Sequence, residues 1–158
     1  MTRARDISAA VSSSIFANYA AYAQFNMTTG GSFGSGFFKF PLNETSYSKN
    51  ISLSSGNIVF EQTGVYNITV GFRFGTGSDI WTGVRLFGNS TSVGTSFGTG
   101  NAANDAGPFT FNFIARITNA AVSYELQGYR DSGTWSQATP VANAGKALVC
   151  TINKVGEI

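Results

Sequence analysis

Apolar and polar residues alternate with period two through much of the chain after residue 37. In Gly64 to Phe74, Tyr66, Ile68, Val70, Phe72 and Phe74 fall on one side. Val65, Asn67, Thr69, Gly71 and Arg73 fall on the other. A strand sorts these two sets onto opposite faces, whereas a helix would scatter both around its circumference. A second stripe runs Phe109, Phe111, Phe113, Ala115 and Ile117, opposed by Thr110, Asn112, Arg116 and Thr118. Val122, Tyr124 and Leu126 form a third, opposed by Ser123, Glu125 and Gln127. Residues 80–87 and 147–155 carry apolar side chains on both faces, which predicts strands covered on both sides, either in the middle of a sandwich or under a partner chain. Weaker alternation predicts strands at 19–26, 37–41, 45–53, 57–61 and 92–97.

Turn signals separate these segments: Ser55-Gly56-Asn57, Thr63-Gly64, Gly75-Thr76-Gly77, Gly88-Asn89, Gly98-Thr99-Gly100-Asn101, Asp105-Ala106-Gly107-Pro108 and Asp131-Ser132-Gly133. About ten short strands with no helical segment between them predict an all-β antiparallel sandwich or barrel. The first 36 residues differ, being rich in Ala, Ser and Gly. Residues 1–18 read as an N-terminal arm, residues 19–158 as the head domain, and residues 28–36 as a flexible Gly-rich loop within it.

Composition narrows the chemistry. The chain has 158 residues, 11% of them charged, a net charge of +2, and no histidine. Without His, the commonest general base, the Ser-His and Cys-His nucleophile pairs and most zinc sites are excluded. A single cysteine, Cys150, allows no intrachain disulfide, and it sits in an apolar strand that predicts an inert buried thiol. The basic residues are scattered, with Arg3 and Arg5 the one close pair, so no phosphate-binding patch and no nucleic-acid partner is predicted. No apolar run is long enough for a transmembrane helix. Ser8 and Ser12 to Ser14 interrupt the apolar core that a signal peptide needs, so the N-terminus reads as part of the mature protein.

Four acids fall in or near loops: Glu44, Asp79, Asp105 and Asp131. Nothing in their spacing pairs two of them for glycoside cleavage, and turn formation accounts for them. No DxDxDG-like calcium loop and no GxxxxGK[ST] phosphate loop is present. The reading is of a non-enzymatic protein without metal or cofactor. Five glycosylation sequons begin at Asn26, Asn43, Asn50, Asn67 and Asn89, a small excess in a chain with 13 Asn and 34 Ser or Thr. Fourteen Phe exceed the needs of one small core, which predicts that some lie at a subunit interface.

Residues 56–90 resemble the globular heads of the complement/tumour-necrosis-factor superfamily. The resemblance rests on Phe60, the turn Thr63-Gly64-Val65-Tyr66, and then Trp81, Val84, Leu86, Phe87 and Asn89. Residues 109–130 are similar to that family's later pair of strands, and residues 146–156 to its closing strand. The resemblance implies a ten-stranded jelly roll that assembles as a tight homotrimer. It makes Tyr66, Ile68, Phe72, Phe109, Phe111, Phe113 and Tyr124 candidates for the trimer interface or the core. No collagen-like stalk accompanies the head.

The opening Thr2-Arg3-Ala4-Arg5-Asp6-Ile7 is similar to that of virion-associated proteins of marine bacteriophages, especially those of cyanobacteria. This second resemblance implies a virion location, with these six residues attaching the chain to the particle. Together they imply a trimeric capsid decoration or cement protein that touches other virion proteins. The alternative is a receptor- or glycan-binding knob of a tail or head fibre. In that alternative Tyr129, Asp131 and Trp135 form a candidate ligand loop for a host surface glycan.

Overall fold

The computed structural model describes residues 20–73, 80–100, 108–120, 122–131, 135–136 and 146–158. Every element among them is a strand: β1 Tyr22–Met27, β2 Ser32–Phe33, β3 Gly36–Lys39, β4 Glu44–Lys49, β5 Ile51–Ser54, β6 Asn57–Phe60, β7 Gly64–Arg73, β8 Ile80–Gly88, β9 Thr91–Gly100, β10 Pro108–Ile117, β11 Ser123–Arg130, β12 Trp135–Ser136 and β13 Leu148–Gly156. All pairings are antiparallel. One sheet has five strands in the order β10-β7-β13-β1-β4. The other has six, ordered β5-β6-β11-β8-β9, with β3 sharing with β6 one edge of β11. The two sheets form the predicted all-β jelly-roll sandwich. The small pair β2–β12 is a separate two-stranded sheet, Phe33 opposite Trp135, and Phe33 packs against Phe38 and Phe40.

The alternation seen in the sequence sorts the side chains as expected. Tyr66, Ile68, Val70 and Phe72 on β7 are fully buried, as are Ala115 and Ile117 on β10 and Leu126 on β11. Rings join the layers: Phe40 meets Phe72 at 5.6 Å between centroids, and Phe60 meets both Tyr66 at 4.6 Å and Tyr124 at 5.5 Å. A fully buried Phe or Ile contributes about 1.5–3 kcal/mol.

Four readings need correction. Residues 45–53 are two strands in different sheets. Asn50 takes a left-handed conformation (φ 57°), donates its side-chain amide to the Ala20 carbonyl, and turns the chain from β4 into β5. Asn tolerates that conformation because its short polar side chain bonds locally. The stretch 28–36 is not loop throughout, because Ser32–Phe33 pairs with β12 and β3 begins at Gly36. Residues 147–155 are not covered on both faces within one chain. Leu148, Cys150 and Ile152 face the core, but Val155 bulges out of register and is 58% exposed.

The fourth correction concerns β11, which runs four residues past Leu126 to Arg130. Its inward positions there are Gly128 and Arg130, which hide the apolar alternation. Gly128 is required because the rings of Phe38 and Phe40 fill its space: a Cβ would stand 2.5 Å from Phe38 Cζ.

Two-residue hairpins form where the sequence signals them. Asn89 and Ser90 (φ 49° and 60°) join β8 to β9, and Ser55 and Gly56 (φ 50° and 73°) join β5 to β6. Paired left-handed residues match the twist of the flanking strands.

Candidate binding surfaces

The seven core or interface candidates lie within the sandwich of a single chain. Tyr66, Ile68 and Phe72 have no exposed surface; Phe111, Phe113 and Tyr124 are buried, and Phe109 packs against them half-buried. Phe72 stacks on Phe111 at 5.6 Å and on Phe109 at 6.3 Å. The Tyr66 hydroxyl donates to the Gln62 carbonyl at 2.8 Å, and the Tyr124 hydroxyl to the Asn119 carbonyl at 3.0 Å. Burial raises the pKa of both phenols, that of Tyr66 to about 12.

Thr2 to Ile7 lie outside the described residues, as do Asp79 and Asp105. Of Trp135 the backbone is placed, in β12. Asp131 is exposed one position past the end of β11. Tyr129 is half-buried on the outward face of the six-stranded sheet. There the structure joins it to two aromatics the sequence did not single out.

These are Phe37 on β3 and Phe97 on β9. Tyr129 pairs with Phe37 on one side and Gly83 on the other, and Gly83 pairs with Phe97. The rings meet Tyr129 at 4.8 and 5.8 Å, with Phe37 44% and Phe97 43% exposed. A contiguous aromatic surface results. The next row carries Arg85 and Gln127. The Arg85 guanidinium lies 3.4 Å from the Phe37 ring centroid and 4.5 Å from that of Phe87. Its Nε donates to Gln127 Oε1 at 2.8 Å, and Gln127 Nε2 donates to Glu125 Oε2 at 2.7 Å. Burial lowers the Arg85 pKa, yet the ring faces beneath it favour the cation. Exposed rings, tilted and edge-on to one another, beside a fixed line of charged and amide groups suit the apolar face and hydroxyl rim of a sugar, or an amphipathic partner side chain. The signal in the sequence was Phe37-Phe38: in a strand, one of two successive aromatics faces outward.

The outward face of the five-stranded sheet is of a different kind. Register places Lys49, Tyr22, Asn153, Asn67 and Ile114 in one row, with the charge at the β4 edge, and Tyr47, Gln24, Thr151, Thr69 and Asn112 in the next. Amides and hydroxyls thus cover its centre. Asn112 Nδ2 donates to Thr69 Oγ1 at 2.8 Å, whereas Asn67 Oδ1 is buried and has no partner among the described residues. Gly71 lies in the following row, where an added Cβ would meet nothing within 4 Å. At one edge Asn26 is fully buried, donating to Ser46 Oγ and to Glu44 Oε2. Lys146 also binds Glu44, which lowers the pKa of that carboxyl.

An open groove of about 470 Å³ runs between β3 and the β5–β6 turn, lined by Phe33, Lys39, Pro41, Leu42, Asn43 and Gly56 among others. Lys39 at its wall donates to Asn57 Oδ1 and to the Ser55 carbonyl. Among the described residues no group of three His, Cys, Asp or Glu could hold a metal ion. No helix there is long and apolar enough to cross a membrane. Cys150 is fully buried and burial pushes its thiol up to about 12, so it is no nucleophile in the folded chain. Sequon asparagines 26, 43 and 50 are engaged in hydrogen bonds, and Asn67 lies mid-sheet, which leaves Asn89 exposed in its turn.

No protein-family model matches the chain, and no curated protein matches it. Solved structures do share its fold. The Eiger TNF of S. frugiperda superposes with a TM-score of 0.62 at 11% identity, over 88% of this chain and 94% of that one. Murine APRIL gives 0.58 at 7% identity, over 86% and 99%. Vertex protein P5 of PRD1 gives 0.52 at 16% identity, over 87% and 96%. The chain therefore has the TNF-like jelly-roll fold that its strand pattern resembled.

Proposed function

We propose that the chain is a structural virion protein, a homotrimer that decorates or cements a capsid and is held to it by the arm of residues 1–18. The observation that carries this reading is the outward face of the five-stranded sheet. Its centre bears the amides and hydroxyls of Asn67, Thr69, Asn112, Thr151 and Asn153 without charge. A sheet face of amides and hydroxyls can pack against its copies around a threefold axis through hydrogen bonds between those groups. The TNF-like fold and the likeness to the vertex protein of PRD1 support the reading. Thr2 to Ile7 keep the attachment role that their opening motif implies.

Gly71→Arg tests the interface. The position has open room, so the fold should tolerate the side chain while the face can no longer pack. The expected result is a soluble β-rich monomer where the native chain is trimeric; unchanged trimers would refute this face as the interface. Copy number tests the role. On the order of several hundred copies per particle, one trimer per capsid threefold position, supports decoration.

The aromatic surface of Phe37, Tyr129 and Phe97 favours a second reading, a receptor- or glycan-binding knob. A low copy number and glycan binding lost in Phe97→Ala would select it.

A further inference from the structure

We propose that the outward aromatic surface of the six-stranded sheet takes an anionic sugar residue, its carboxylate or sulfate held by Arg85. The inference rests on the glycan-binding reading and names the sugar. Half-buried Arg85 lies between Gln127 and Thr95, one row in from Phe37, Tyr129 and Phe97. Its neighbours within the sheet are all described residues. The guanidinium carbon lies 3.4 Å from the Phe37 ring centroid and 4.5 Å from that of Phe87, so the two rings fix its plane. Its Nε donates to Gln127 Oε1 at 2.8 Å. Gln127 is itself held, because its Nε2 donates to Glu125 Oε2 at 2.7 Å.

Charge decides the class of sugar. Glu125, the acid beside this line, already accepts from Gln127 and faces Lys39 Nζ at 3.9 Å. Those two charges offset each other, which leaves the charge of Arg85 over. Among the described residues Arg85 makes no ion pair, and the bond from Nε is the one hydrogen bond of its guanidinium. Both terminal nitrogens remain as a planar pair of donors, which matches two oxygens of a carboxylate or sulfate. Phe37 and Phe97, 44% and 43% exposed, offer apolar surface one row away. That row stands about 7 Å off, the step from i to i+2 along a strand, which a sugar ring with its exocyclic acid group spans. A neutral sugar would meet the rings and leave the charge unanswered.

The test titrates the native full chain with methyl glucuronide, methyl glucoside 6-sulfate and methyl glucoside, read by saturation-transfer NMR on the sugar. At least one anionic sugar should bind about tenfold or more tighter than methyl glucoside, the worth of a charge-assisted bidentate contact. Tighter binding of the glucuronide identifies a carboxylated sugar, and tighter binding of the sulfate a sulfated one. Arg85→Lys keeps the charge but loses the fork and the flat contact with the rings, so it should remove most of the anionic preference. If that variant fails to fold, the native chain's preference should still shrink as salt is raised. Equal binding of all three sugars overturns the proposal and leaves the glycan reading standing. So does an anionic preference that neither Arg85→Lys nor salt reduces. Binding of none of the three removes the glycan reading and this inference together.

Discussion

Phe97 lays its ring over the backbone of Gly83: a Cβ at residue 83 would stand 2.3 Å from Phe97 Cδ1 and 2.8 Å from the Ser96 carbonyl oxygen. The absence of a side chain at 83 is thus what lets Phe97 approach Tyr129 and complete the aromatic surface. Gly83→Ala should destabilise the head by about 1–3 kcal/mol, the usual cost of overpacking. In a Phe97→Ala background the same change should cost less, because the two closest obstructing atoms belong to the Phe97 ring while the Ser96 carbonyl remains. Thermal melting of the four variants reads this coupling.

Tyr66 tests where the core ends. It is fully buried within one chain, so Tyr66→Glu should abolish the β-sheet circular dichroism rather than release folded monomers. Tyr66→Phe removes only the bond to the Gln62 carbonyl and should cost about 1 kcal/mol while leaving the assembly state unchanged. Folded monomers from Tyr66→Glu would mean that the residue faces a neighbour.

The Cys150 thiol keeps its proton in the folded chain to about pH 12, far above its ordinary value. The unfolded chain releases it sooner, so native stability should fall as pH rises from the ordinary thiol range toward 12. Tyr66, also pushed up to about 12, adds to that fall. Cys150→Ala should flatten the slope of denaturant midpoint against alkaline pH. In the native protein a thiol reagent at mildly alkaline pH should leave Cys150 unmodified until denaturant is added.

The acid side has the opposite sign. Lys146, and then Asn26, hold the Glu44 carboxyl below its ordinary pKa. Its contribution is therefore complete above the ordinary carboxylate range and is lost as pH falls through the lowered value. Glu44→Gln should lower stability near neutrality and flatten the acid slope, read from unfolding midpoints at stepped pH.

Removing residues 1–18 should leave a folded trimer that no longer joins the particle. Co-sedimentation with particles lacking the native protein checks this. Attachment retained by the shortened chain would move the anchor into the head.

Much of this architecture was legible because a half-buried strand writes its burial into every second residue. Gly64 to Arg73 and Phe109 to Ile117 alternate cleanly, and their inward positions are the buried ones. The absence of His and the single Cys narrow the chemistry through composition alone. The loss of pattern at Gly128 and Arg130 is equally physical. One position is small because Phe38 and Phe40 occupy its space, and the other is a charge where the alternation calls for an apolar residue.

The change of sheet at Asn50 could not be read from alternation, which persists across the corner while φ there reverses sign. Which aromatics share a surface was hidden for the same kind of reason. Phe37, Phe97 and Tyr129 come from strands far apart in the chain, and only the registers of β3, β11, β8 and β9 set them side by side. The strands and the period of their burial could be read from the chain alone, because they depend on residue types and on neighbours one or two positions away. It took the tertiary structure to show that the Phe-rich stripes fill one chain's own interior, that a polar sheet face and an aromatic patch lie outside, and that Arg130 occupies an inward position. Those outcomes depend on pairings between distant segments, which local periodicity does not encode.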